Sequence, residues 1–157
     1  MSNIVVGQQF PEFEITKGGL TTASGAFEVW GTDELIGKAT LVIANAGHAS
    51  ANDMHHHITS KIFDARSIRL CRIINAKDAP MGAGLFIKNE FKKGAKNDSE
   101  NLYVMDSKGL IATELDMEKK SAVVSIIDAE GKVLFAHEGM LNPEHETEML
   151  NIIETLN

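Results

Sequence analysis

The segment Ala39–Ala46, apolar almost throughout, constrains this chain more than any other. A strand with one wet face alternates polar and apolar residues. One that does not alternate is covered on both faces, as in parallel sheets packed between layers. A parallel neighbour needs a crossover, usually a helix, and the chain supplies both in order. Ser50 with Asp53 matches a capping box, which predicts a helix from Ala51 to about Ala65, with Met54, Ile58 and Ile62 along one face. Ile68–Asn75 then returns as a second strand, and the crossover between the two is expected to be right-handed.

The flanking segments extend this unit. Residues 4–30 read as extended structure, broken into short pieces at Phe10-Pro11 and Gly18-Gly19, with a strand at Ala26–Trp30. Thr32–Gly37 reads as one helical turn closed by glycine. Asp78-Ala79-Pro80 opens a second helix over Gly82–Lys93, with Leu85, Phe86 and Phe91 as buried anchors and Lys88, Lys92 and Lys93 outside. Two D-x-x-G turns, Asp106–Gly109 and Asp128–Gly131, predict bulged hairpins. The first would join Asn101–Asp106 to Ile111–Leu115, the second Ala122–Asp128 to Lys132–Glu138. A last helix starts at Asn142, with Pro143 at its first position and Glu144 and Glu146 at the positive end of its dipole. Met149, Ile152, Ile153 and Leu156 form its apolar stripe. The order βαβ, then a helix with an extra hairpin, then ββα is the thioredoxin-like arrangement: an α/β mixed sheet flanked by helices, behind an N-terminal extension. The expectation is a single domain over residues 1–157, with an extension at 1–38 and a core at 39–157.

A chain of 157 residues, 43% hydrophobic and 24% charged, suits one soluble globular domain. Its net charge of −7 argues against nucleic acid, which needs a positive field over the phosphates. The lysines of Lys88–Lys96 read as a solvated helix face, and no helix-turn-helix pattern accompanies them. The longest apolar stretches, Leu41–Ala46 and Ala122–Ile127, fall far short of the ~20 residues of a membrane helix, so no membrane insertion is expected. Met1-Ser2-Asn3 opens no signal peptide, which leaves a cytoplasmic protein or a mature form restarted at Met1.

In an α/β domain of this arrangement the turn Ala46–Ala51 is where a redox dithiol sits, and it holds no cysteine. His48 and Ser50 stand in that place. The only thiol, Cys71, falls mid-strand between Leu70 and Arg72, where a buried structural role is expected. Lys119-Lys120-Ser121 offers no proline before the strand at Ala122. Dithiol chemistry, which needs an activated thiolate and a resolving partner, is therefore not expected. His55-His56-His57 diverge by about 100° per residue on a helix, so they do not converge on one ion. His48 with His55 or His56 gives two candidate metal ligands and Asp53 a third, whereas a closed zinc site needs four. Ser50 is better explained as an N-cap than as a nucleophile beside His48 and Asp53, since no G-x-S-x-G elbow exists. Asn75 and Asp78 lie at the end of a central strand, where α/β sheets place ligands.

Several separated segments carry a resemblance. Ile73-Ile74-Asn75 followed by Lys77–Ile87 (KDAPMGAGLFI) resembles a signature of the YtfJ-like family. Gly7-Gln8-x-Phe10-Pro11, Ala46–Ala51, Ser121–Val124 leading into Asp128-x-x-Gly131-Lys132-Val133, and Glu138–Leu141 agree with it. The resemblance spans nearly the whole chain. It implies a thioredoxin-like fold, export to the periplasm of a Gram-negative bacterium and no established activity; the absence of a leader then reads as trimming. The expectation is a non-redox binding or protein-interaction module without a cofactor. Its crevice would be formed by Gly47, His48, Ser50, Asn75, Asp78 and Ser121, for a protein or small-molecule ligand. The alternative is a metal-binding protein or hydrolytic enzyme using His48 with His55 or His56.

Overall fold

A computed structural model of the chain describes residues 2–20, 26–65, 68–98 and 100–156. Among these, seven strands form one sheet: β1 (Glu14–Leu20), β2 (Phe27–Gly31), β3 (Thr40–Ala46), β4 (Arg69–Asn75), β5 (Leu102–Asp106), β6 (Ala122–Ile127) and β7 (Val133–Glu138). Their spatial order is β2-β1-β5-β4-β3-β6-β7. The centre, β3, β4 and β5, is parallel, with Val42 opposite Cys71 and Ile43 opposite Arg72. β6 joins β3 antiparallel, β7 joins β6, and the β1–β2 pair closes the other side. All of β3 is buried, as its nearly continuous apolar run predicts.

Five α-helices cover this sheet: α1 (Ala49–Asp53), α2 (His56–Ala65), α3 (Ala83–Asn97), α4 (Leu110–Glu114) and α5 (Pro143–Leu156). One face packs Val42, Ala44, Cys71, Ile73 and Val104 against Trp30, Leu35 and Phe13 from the N-terminal segment and Ile111 and Leu115 from around α4. The opposite face carries two separate clusters. Under α2 and α5, Leu41, Ile43, Leu70, Val124 and Ile126 meet Ile58, Ile62, Met149 and Ile153. Under α3, Ile74, Tyr103 and Met105 meet Ile87, Phe91 and Ala95. Each buried Val, Leu, Ile, Phe or Met side chain among these contributes on the order of 1.5–3 kcal/mol relative to exposure. The gap between these two clusters positions the site described below. No described helix is long and apolar enough to cross a membrane.

The structure departs from the sequence expectations at four places. Gly18-Gly19 does not end β1, which continues to Leu20 past an irregularity in its pairing between Ile15 and Gly19; a Cβ on Gly19 would stand 2.8 Å from that of Trp30, so glycine there lets β2 close against β1. The helix expected over Ala51–Ala65 is two helices: the Met54 carbonyl accepts from Leu141 N–H at 2.8 Å, not from the next turn, and the ladder breaks. Ile111–Leu115 is not the return strand of an extra hairpin. Both edges of β5 are already taken by β4 and β1, so no edge remains, and Ile111 N–H instead donates to the Asp106 carboxylate at 2.9 Å to start α4 behind a left-handed Gly109. On α3 the buried stripe is Ile87, Phe91 and Ala95 at four-residue spacing, which leaves Leu85 and Phe86 two-thirds exposed.

The second hairpin and last helix form as expected. Asp128 accepts from Glu130 and Lys132 N–H at 3.0 and 2.9 Å, with Gly131 left-handed. At α5, Asn142 accepts from His145 N–H at 2.9 Å, and the His145 ring accepts from Asn142 N–H in return.

Candidate functional site

A cleft of about 440 Å³ opens between the start of α1 and α3, over β3 and β4. Parallel β3 and β4 deliver Asn45 and Ile74 to its floor from register-paired positions, and Arg72 rises one step below Ile74. Gly47, His48, Asn52 and His56 form one wall, and Ala83, Phe86, Ile87 and Glu90 the other. Ligands of open α/β sheets collect at the carboxyl ends of parallel strands, and this cleft lies there.

The floor is electrostatically unfinished. Asn45 is 3% exposed; its amide nitrogen donates to the Ala46 carbonyl at 2.9 Å, while its buried oxygen has no donor among the described residues. Behind the floor, outside the cleft lining, His55 is 2% exposed and pairs through Nδ1 with the Thr59 hydroxyl at 3.0 Å, while its buried Nε2 has no partner among the described residues. The Thr59 hydroxyl donates to the His55 carbonyl at 3.1 Å, so it accepts from Nδ1–H and leaves Nε2 as a bare acceptor. Burial, then the positive charge of Arg72, lowers the His55 pKa to about 3. Arg72 makes no hydrogen bond or ion pair among the described residues, and its Nε is buried without an acceptor. Burial lowers its pKa, with Tyr103 and Glu90 opposing. Arg69, three positions from the same floor, shows the usual state of such a group: its guanidinium donates to Thr40 Oγ1 and to the Leu35 carbonyl, each at 2.9 Å.

The crevice residues read from sequence are divided by the structure. Gly47 and His48 line the cleft. His48, not Ser50, caps α1: its Nδ1 accepts Ser50 N–H at 3.2 Å, and the Ser50 hydroxyl sits 2.7 Å from the same atom, exposed. Asn75 and Ser121 are buried in the packing behind the turn. Asn75 Oδ1 accepts Lys77 N–H, its carbonyl accepts Gly47 N–H at 2.9 Å, and the Ser121 hydroxyl donates to the Glu138 carboxylate at 2.6 Å. The space beside Asn75 is about 50 Å³, a water or two rather than a ligand. The side chain of Asp78 lies outside the described residues. His48 and His56 share the cleft, while His55 lies buried. Among the described residues no three His, Cys, Asp or Glu come together as a metal site.

Sequence reasoning missed Arg72 and Asn45. A signal existed: each is the polar interruption of an otherwise apolar central strand, and both fall on one face of the sheet. Cys71, which alternates with Arg72, points to the other face and is fully buried; burial pushes its thiol pKa far above the ordinary range. A depression of about 490 Å³ beside the Thr32–Ile36 turn is slightly larger than the cleft, but none of the unpartnered buried atoms belongs to its lining.

The parallel centre, antiparallel β6–β7 and covering helices define a thioredoxin-like domain whose strand-to-helix turn carries no dithiol. The thioredoxin domain of a thiol-disulfide oxidoreductase from Bacteroides vulgatus superposes with a TM-score of 0.56 at 15% identity, covering 99% of this chain and all of that one, a likeness of fold alone. The chain belongs to the family described as "Bacterial protein of unknown function (YtfJ_HI0045)", matched over residues 4–156. It is 29% identical to an uncharacterized protein of Haemophilus influenzae over 98% of this chain and 88% of the relative. It is 25% identical to the uncharacterized protein YtfJ of Escherichia coli, over 96% of this chain and 85% of that protein.

Proposed function

We propose that this domain is a binding module that has kept the thioredoxin-like scaffold without its thiol chemistry, and that the cleft beside His48 is its binding site. One observation carries the reading: an open cleft at the carboxyl ends of the parallel strands, whose lining includes two buried polar atoms, Asn45 Oδ1 and Arg72 Nε, with no partner among the described residues. Buried polar groups are normally satisfied, so unmet ones facing a cleft argue for a partner from outside. Phe86, two-thirds exposed on its rim, adds an apolar contact surface with no packing role. The exported location implied by the family resemblance belongs to the same reading, and osmotic-shock fractionation of the native host tests it.

The test of the site is a fragment screen read by backbone amide shifts. Hits that move the signals of Gly47, Arg72 and Ala83 together support it; hits that fall only elsewhere refute it. Disulfide reductase or peroxidase turnover that disappears in Cys71→Ser would overturn the non-redox part.

A second reading, a metal-dependent protein using His48, rests on His48 and His56 lining the same cleft. Stoichiometric zinc retained after EDTA treatment and reloading, and lost in His48→Ala, would favour it.

A further inference from the structure

We infer, resting on the reading of the cleft as a binding site, that Arg72 is the anchor for a carboxylate. The preferred ligand is an acylamino carboxylate with an apolar side chain, either a free N-acyl amino acid or the C-terminal residue of a peptide.

The argument starts from Arg72. A guanidinium carries five N–H donors and stays charged, so Arg72, half-buried with its Nε shut off from solvent and given no acceptor, carries an unmet cost. Arg69, half-buried on the same strand, directs its donors to the Thr40 hydroxyl and the Leu35 carbonyl. Arg72 lines the cleft with no acceptor among the described residues, and its Nε is fully buried. Glu90 on the opposite wall makes no ion pair with it. A missing anion completes the site, and a guanidinium matches the planar carboxylate.

The atoms beside Arg72 select among anions. Asn45 Oδ1 is a bare acceptor on the same floor, and Glu90 adds negative charge from the opposite wall. A phosphate dianion would face two repulsive groups, Asn45 Oδ1 and Glu90, for one attractive one. A monoanion with an N–H donor next to its carboxylate would satisfy both kinds of unmet demand: its oxygens accept from the guanidinium N–H groups, and its N–H donates to Asn45 Oδ1. An acylamino carboxylate has that pattern. Its side chain would lie along Phe86 and Ile87 on α3, where the wall is apolar.

The experiment titrates the full chain with N-acetyl-L-phenylalanine, with its C-terminal amide, and with a glycine-rich hexapeptide ending in phenylalanine, reading the amide signals of Gly47, Arg72 and Ala83. The expected result is saturable shifts with the acid and binding at least about tenfold weaker with the amide, since a charge-assisted pair is lost. Tighter binding of the hexapeptide assigns the peptide terminus as source; equal or weaker binding assigns the free amino-acid derivative. Arg72→Met is expected to abolish binding and raise the Tm of the unliganded chain, because a half-buried charge with an unmet Nε is replaced by an apolar side chain. A lowered Tm would mark Arg72 as structural and overturn the inference, as would equal binding of acid and amide, which needs no variant. Phenol provides the control: if it moves the same signals and the acid does not, the cleft binds ligands and the carboxylate assignment falls. If no probe moves them up to about 10 mM, well beyond ordinary ligand affinities, the binding-site reading falls as well.

Discussion

His48 and Ser50 exchange the roles that their residue types suggest: the Nδ1 of His48 accepts the backbone N–H of Ser50 at 3.2 Å, so the histidine caps the helix and the serine rides on its first turn. A short helix such as Ala49–Asp53 depends on its cap, since nucleation is unfavourable and few intrahelical bonds repay it. His48→Ala should therefore cost about 0.5–1 kcal/mol of unfolding free energy, and His48→Asp should restore most of it. Ser50→Ala should cost less than His48→Ala. Urea denaturation of the three variants measures the order, and a larger loss from Ser50→Ala would show the cap to be the serine after all.

Cys71 lies opposite Val42 with no exposure, and burial drives its thiol far from ionisation, with nearby Arg69 opposing only in part. The thiolate is the reactive form. Modification by a disulfide reagent should therefore proceed only through unfolding, and its rate should rise in step with added urea. Cys71→Ser places a hydroxyl in the apolar cluster of Val42, Ile73 and Val104, a loss of about 1–3 kcal/mol. Rapid labelling of the folded chain would contradict the packing.

The sheet was legible where the chain obeys local rules. The apolar run of Ala39–Ala46 identified β3, and the caps at Asn142 and Asp128 placed the last helix and hairpin. What failed was decided by partners distant in sequence. Asp106-Ser107-Lys108-Gly109 has the letters of a hairpin turn, yet β1, from the other end of the chain, occupies the edge that a returning strand would need. The break after Asp53 depends on Leu141 N–H seeking the Met54 carbonyl. The cleft was half legible: Gly47 and His48 follow from the turn, but which face Arg72 and Asn45 share emerges only with the register of β3 against β4.

The buried ring of His55 gives the protein an acid sensitivity of defined sign. Its pKa is lowered from 6.5 to about 3 by burial first, then by Arg72, His56 and His57. Below pH 6.5 the unfolded chain takes up a proton that the folded chain refuses, so stability is lost as pH falls toward 3. The slope from this one group approaches about 1.4 kcal/mol per pH unit. Between about pH 6 and 5 most carboxylates remain ionised, so the contribution can be isolated there. Unfolding free energies of the natural chain should fall more steeply across that window than those of His55→Gln. Parallel curves would mean that the folded ring accepts a proton.

Gly47 is the hinge point between the turn and the loop that precedes α3. A Cβ at this position would stand 2.8 Å from the Cβ of Ala79 and 2.8 Å from the Asn75 carbonyl oxygen, while Gly47 N–H donates to that same carbonyl at 2.9 Å. The close approach holds β3 and the loop after β4 together, and it sets the wall of the cleft. Gly47→Ala should destabilise by about 1–3 kcal/mol, the usual range for overpacking. Ala79→Gly in the same chain removes one of the two clashes and leaves the backbone one, so the double variant should recover only part of the loss. Denaturation of both single variants and the double variant gives the coupling directly. Strict additivity would mean that the two residues do not touch, and the contact that shapes this end of the cleft would have to be abandoned.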